Sequence, residues 1–228
     1  MEIIPEIHQV DGVNGNCYII IRDGLTVIDT GLPGSGKKIL AYIRDWLHRD
    51  PAEITTIILT HFHVDHIGAV AFLKSAAPKA KVAIGAGDEK YVDGTLQRPM
   101  PLGFRGLRIR IGRFFMRTEP FTPDIVLADG DRISGLLCVA LPGHTPGSIG
   151  LLDEKSKAFF SGDILRSDGK TVTGGPPEYT MDLAQEHASL RKVAALSFDI
   201  LLPGHGVPLR PGASEKVREF VNGILAGT

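Results

Sequence analysis

"TTIILTHFHVDHIGA" (residues 55–69) passes directly from an apolar, β-branched run into three histidines and an aspartate packed within six positions. "TTIIL" (55–59) reads as a buried strand, and Ile67–Lys74 as the opening of a helix, so the polar cluster falls on the loop between them. In extended chain, residues two apart point to the same side, which lets His61 and His63 grip one ion together. A helix starting near Asp65 and His66 would place those two side chains at its mouth, facing a second ion. A strand end carrying imidazole and carboxylate groups suits core packing poorly and metal binding well.

Outward from this stretch, strand-type and helix-type segments alternate. Before it come the strand candidates "CYIII" (17–21) and "LTVID" (25–29). A helix is then expected from Pro33 to about His48, with Ile39, Leu40, Ile43, Trp46 and Leu47 at helical spacing. After it "KVAIG" (81–85) reads as a strand. The second half repeats the layout in outline. Its strand candidates are "LLCVAL" (136–141), "SIGLLD" (148–153), "KAFFSGD" (157–163) and "DILLPG" (199–204), and its helices fall near Asp182–Ala195 and Ala213–Leu225. Strands interleaved with helices in two similar halves indicate two sheets packed face to face with helices outside.

The 228 residues suffice for one large domain, and a 43% hydrophobic content supplies its core. Charge is balanced at a formal net of −1, which argues against a general nucleic-acid surface. Cys17 and Cys138 are the only cysteines and each sits in an apolar run, so buried reduced thiols are expected rather than a disulfide. No apolar segment approaches the roughly 20 residues needed to cross a bilayer. "MEIIPEIHQV" lacks a basic region followed by an apolar one, and a cytoplasmic protein is the resulting expectation.

Ligand-type residues recur after the later strands, each beside glycine, which permits a tight turn. His144 stands in "LPGHTPGS", Asp163 in "FFSGD" and His205 in "LLPGHG". Five of the eight histidines thus share one pattern, leaving His8, His48 and His187 outside it. In this order, "THFHVDH", "PGHTPGS", "SGD" and "PGHG", with "VIDTG" (27–31) before them, resemble the metallo-β-lactamase superfamily over nearly the whole chain. The resemblance implies an α+β fold, the αββα sandwich of two mixed sheets with helices on both outer faces, as a single domain over 1–228. It assigns His61, His63 and His144 to a first metal, and Asp65, His66 and His205 to a second, with Asp163 bridging. Histidine at position 66 matches hydrolases such as glyoxalase II and the lactonases, whereas the main lactamase branch has arginine there.

Such a centre would hold two zinc ions, with iron or manganese as alternatives on ligand type. Two ions about 3.5–4 Å apart share a hydroxide and lower its pKa toward neutrality. Asp65 is the candidate to orient it and move a proton. Asp29 is expected either to hold a ligand imidazole by hydrogen bonding or to cap the following helix. The function expected is hydrolysis of a small acyl substrate: thioester, ester or lactone. The glyoxalase II branch adds a helical substrate-binding domain, and only 23 residues follow His205 here, which weakens a glutathione thioester. The alternatives are a mononuclear-iron, persulfide dioxygenase-like enzyme, or β-lactamase or phosphodiesterase activity.

Two further stretches carry weaker signals. "GLPGSGKK" (31–38) imitates a phosphate-binding loop, but Lys38 stands where a magnesium-binding Ser or Thr belongs. Residues 95–118 hold six arginines and no acidic residue, and the segment to about 123 reads as a lid or insertion. It would either attract an anionic small-molecule substrate over the metal edge or, as preferred, pack as solvated surface against the body or a second copy in a homo-oligomer. Neither nucleic acid nor membrane is expected as a partner.

Overall fold

The computed structural model describes residues 1–97 and 118–226. The arginines of the expected lid, Arg98 to Arg117, lie outside the described residues. The chain forms two compact units, the first built from 1–84 and 88–126, the second from 85–87 and 127 onward.

The first unit carries a seven-stranded sheet in sequence order: β1 (Glu2–Ile4), β2 (Ile7–Gln9), β3 (Tyr18–Arg22), β4 (Gly24–Ile28), β5 (Ile54–Leu59), β6 (Lys81–Gly85) and β7 (Ile125–Leu127). The first four strands are antiparallel neighbours. Strands β4, β5 and β6 are parallel, in the register Val27↔Ile57↔Val82. Parallel neighbours need crossover connections. These come from α1 (Gly36–Ala41), and from α2 (Val64–Ile67) with α3 (Val70–Ala76); the short α4 (Glu89–Val92) follows β6. One sheet face, with Ile19, Val27, Ile57, Leu59 and Val82, packs on Ile39, Ile43, Val70 and Leu73 of the helices. Ile20, Ile28, Ile58 and Ala83, which alternate with them, are buried too. Burial on both faces explains why these strands read as continuous apolar runs. Ile57 is fully buried, so Ile57→Val is expected to lower the unfolding free energy by about 1 kcal/mol, read by urea denaturation.

Two departures from the helical expectation have local causes. Beyond α1, residues Tyr42–Trp46 form a π-turn, in which Leu47 N–H donates to Tyr42 O at 3.1 Å. The wider turn breaks the 3.6-residue spacing, so Trp46 does not join the core face. It is 76% exposed and stacks on Tyr42, with ring centroids 6.3 Å apart. The helix expected from Ile67 is interrupted at Gly68 and Ala69 because their backbone turns to the loop after β4. Gly68 N–H donates to Gly31 O, Ala69 N–H to the Thr30 hydroxyl, and Thr30 N–H to His66 O.

The second unit carries a six-stranded sheet in the order β12 (Val172–Gly174), β11 (Ala158–Asp168), β10 (Ile149–Asp153), β9 (Leu136–Ala140) and β8 (Arg132–Ile133). Strand β13 (Ile200–Val207) runs parallel to β11. Helices α5 (Leu183–Ala194) and α6 (Ala213–Ala226) cover a core that includes Val139, Phe159, Leu165, Leu190, Val193, Leu201 and Val217. Asp182 caps α5, its carboxylate accepting from Gln185 N–H at 3.0 Å. Strand β11 runs on to Asp168, five residues past the end expected from sequence, and this places Asp163 mid-strand.

Cys17 and Cys138 are free and buried, as expected. Burial pushes both thiols up, Cys138 to about 12, so neither is a reactive thiolate.

Candidate metal centre

In the first unit, the donors occupy the turn from the C-terminal end of β5 into α2, and His63 stands in extended conformation immediately before that helix. His61 and His66 are buried, and His63 and Asp65 are half-buried. The His61 ring lies 4.7 Å from the His63 ring and 4.1 Å from the His66 ring, centroid to centroid. Ligand atoms of His61 come within 4.8 Å of those of His63 and of His66, as do those of Asp65 and His66. Gly15 keeps this turn in place: at φ +74 it lies so close that a Cβ would sit 1.9 Å from the carbonyl oxygen of Asp65.

Asp29 organises this cluster. Its φ is +56, a left-handed conformation unusual outside glycine, and its side chain is buried. One carboxylate oxygen accepts from Thr60 N–H at 2.8 Å. The other accepts from the Thr60 hydroxyl at 2.8 Å and lies 2.8 Å from Nδ1 of His66. An ionised carboxylate only accepts hydrogen bonds, so Nδ1 of His66 carries the proton and Nε2 presents the lone pair. The same logic reaches His61, whose Nδ1 is 3.1 Å from the Thr60 hydroxyl. That hydroxyl's own proton is committed to Asp29, so it accepts from Nδ1–H and leaves Nε2 of His61 as the donor atom. Of the two roles expected for Asp29, the structure selects the imidazole-holding one. Asp88 adds a brace, its carboxylate accepting from Phe62 N–H at 2.9 Å.

In the second unit, His144 lies on the loop after β9, Asp163 within β11 and His205 on β13. Nε2 of His144 and of His205 approach Asp163 Oδ2 at 3.8 and 3.4 Å. Arg166 Nη2 is 3.4 Å from the same oxygen. In the first unit, His66 Nε2 and Asp65 Oδ2 are 4.0 Å apart. An imidazole lone pair and a carboxylate oxygen do not bond to each other. Two ligands of one tetrahedral zinc, each at about 2.1 Å, stand about 3.4 Å apart. The observed 3.4–4.0 Å separations fit a shared cation, and the donor chemistry therefore suits a divalent metal.

Fold and donor set together define a metal-dependent hydrolase with two-sheet α+β architecture. The chain belongs to the metallo-β-lactamase superfamily, whose family model matches residues 10–205. It is 30% identical to the hydroxyacylglutathione hydrolase GloC of Haemophilus influenzae, over 97% of this chain and 98% of that one. It is 29% identical to the Bacillus subtilis protein YobT, over 93% and 91%. Among solved structures, the subclass B3 metallo-β-lactamase BJP-1 of Bradyrhizobium japonicum superposes with a TM-score of 0.72 at 22% identity, covering 100% of this chain and 92% of that one. A protein crystallised in a di-iron-bound form, TTHA1623, superposes with a TM-score of 0.69 at 25% identity, over 92% and 96%. These likenesses show the expected fold class.

All seven donor residues expected from sequence fall within these two clusters. Three residues in contact with the donors, or with one another beside them, lie outside the donor set expected from sequence: Thr60, Thr180 and Glu186. Thr60 adjoins His61 and could have been read from "THFHVDH"; nothing in sequence ties Thr180 or Glu186 to His144. Lys38 of the phosphate-loop imitation donates to Gly12 O. His8, left outside the pattern, lies 3.1 Å from the Tyr42 hydroxyl. Among the described residues, no helix is long and apolar enough to cross a membrane.

Proposed function

We propose that this chain is a dinuclear metal-dependent thioester hydrolase. His61, His63 and His144 hold one divalent cation and Asp65, His66 and His205 the other, with Asp163 shared. The observation that carries the proposal is the buried Asp29 carboxylate, which through Thr60 sets two imidazoles in the tautomer that presents Nε2. Ligating histidines typically have such carboxylate partners. A purely structural histidine pair does not need one.

When bound, divalent cations acidify water to near-neutral pH and polarise a carbonyl oxygen. The protein's own part is to orient the donors and manage protons. Asp65 is half-buried beside His66, placed to take a proton at its carboxylate oxygen and return it to the departing thiolate. Asp29 and Thr60 keep the protons of buried His61 and His66 on Nδ1, leaving each Nε2 as the ligating atom.

The thioester preference is supported by the 30% identity to GloC, and ester and lactone hydrolysis are the neighbouring activities to compare. Zinc suits the imidazole–carboxylate set, and the di-iron form of the structural relative makes iron the second metal to test. The test is a panel of S-lactoylglutathione, a non-glutathione thioester, a γ-lactone, a β-lactam and a phosphodiester, each assayed with metal-loaded protein. A kcat/KM for thioesters at least tenfold above the rest is the expected result. Turnover confined to the β-lactam or the phosphodiester, or oxygen consumption with a persulfide, would replace the proposal.

A further inference from the structure

His144 has an orienting chain of its own. Its Nδ1 lies 3.5 Å from the Thr180 hydroxyl, which donates to Glu186 Oε2 at 2.7 Å. Glu186 is buried on the first turns of α5, and its carboxylate stands 4.0 Å from Nδ1, too far to bond directly. The Thr180 proton is committed to Glu186, so the hydroxyl oxygen accepts from Nδ1–H, and Nε2 of His144 faces Asp163. This carboxylate–threonine–imidazole order repeats, in the second unit, the Asp29–Thr60–His61 order of the first.

The backbone locks the arrangement. Gly143, at φ +135, approaches α5 so closely that a Cβ would lie 2.3 Å from Glu186 N. Asp182 N–H donates to Gly143 O at 2.9 Å, Met181 N–H to His144 O at 3.2 Å, and the Ser189 hydroxyl to Pro142 O at 2.7 Å. The loop bearing His144 is thus fastened along one helix, and Glu186 and Thr180 are the side chains of that seam that face the imidazole. A buried acid that merely stabilised the seam would have no need of a hydroxyl aimed at a ring nitrogen.

We infer that Thr180 and Glu186 are positioning residues for His144, fixing its tautomer and ring plane so that it binds metal through Nε2. The inference rests on the proposed ligand role of His144. The decisive variants are Thr180→Val, which removes the hydroxyl at constant shape, Thr180→Ser, which restores it, and Glu186→Gln, with His144→Ala as reference. Metal affinity is read by competition against a chromophoric chelator, and the His144 Nδ1–H proton by NMR of the zinc-loaded protein. Thr180→Val is expected to weaken one of the two ions about tenfold to a hundredfold and to lose the Nδ1–H signal. Thr180→Ser should stay within about threefold of the parent and keep the signal. Glu186→Gln, which keeps an acceptor but removes the charge, should fall between them. Near-UV circular dichroism identifies any variant that fails to fold, and Glu186→Gln then carries the test. If His144→Ala loses an ion while Thr180→Val and Glu186→Gln bind both as the parent does, the inference is overturned and the ligand assignment stands. If His144→Ala keeps both ions at parent affinity, the ligand assignment itself fails.

Discussion

Asp163→Ala is expected to lower kcat/KM for the best thioester by about a thousandfold or more, with the protein still folded. The side chain stands at the centre of its donor cluster, with His144, His205 and Arg166 all within 3.8 Å of one carboxylate oxygen. It is the residue proposed to be shared by both ions, so its loss reaches both sites together. Lewis-acid stabilisation by bound metal is worth several kcal/mol, and about 1.4 kcal/mol corresponds to tenfold in rate. Removing the carboxylate also strips Arg166 of its partner, so Asp163→Asn is the companion variant. Its amide fills the same space and lacks the charge. Both should retain a cooperative unfolding transition and bind metal more weakly; a variant with parent kinetics would remove Asp163 from the mechanism.

Asp29→Asn is expected to weaken metal binding about tenfold to a hundredfold while leaving the shape of the site unchanged. The amide can still accept from Thr60 N–H. Its NH2 group, however, would meet the Nδ1–H of His66 and the hydroxyl proton of Thr60, donor against donor. To relieve this, His66 must move its proton to Nε2, the atom that faces Asp65. Asp29→Ala goes further. It leaves buried Thr60 and His66 donors unsatisfied, at about 1–3 kcal/mol each, and puts alanine in a left-handed conformation. A stability loss of about 3 kcal/mol is expected from these costs, read by chemical denaturation. The two variants separate orientation from stability: Asn weakens metal binding and keeps the stability, whereas Ala weakens both.

Much of the framework was legible because its signals are local. The run "TTIIL" and the strand "KVAIG" each bury both faces, and continuous apolar patterning marks them. The candidate donor residues stand out in sequence for a related reason: each follows or interrupts an apolar strand, where imidazole and carboxylate have no packing role. What sequence hid depends on contacts distant in the chain. The break at Gly68 arises from hydrogen bonds to Thr30 and Gly31, and Trp46 leaves the core because one π-turn shifts the helical phase. The edge strands Glu2–Ile4 and Ile125–Leu127 are three residues each, too short for alternation to register. Glu186 is the fourth residue of an ordinary-looking helical sequence, Leu183–Ala194, and only the fold brings it to Thr180 and His144.

The most direct test is metal content joined to activity in a single preparation. Purified protein is stripped with chelator, then titrated with zinc and separately with ferrous iron. Bound metal is counted by mass spectrometry, and thioester hydrolysis is followed at each point. Hydrolysis absent from the stripped protein and restored in full only as the second equivalent binds is the expected result. Full activity in the stripped protein, or a single iron per chain accompanied by oxygen uptake, would contradict a paired-cation hydrolase.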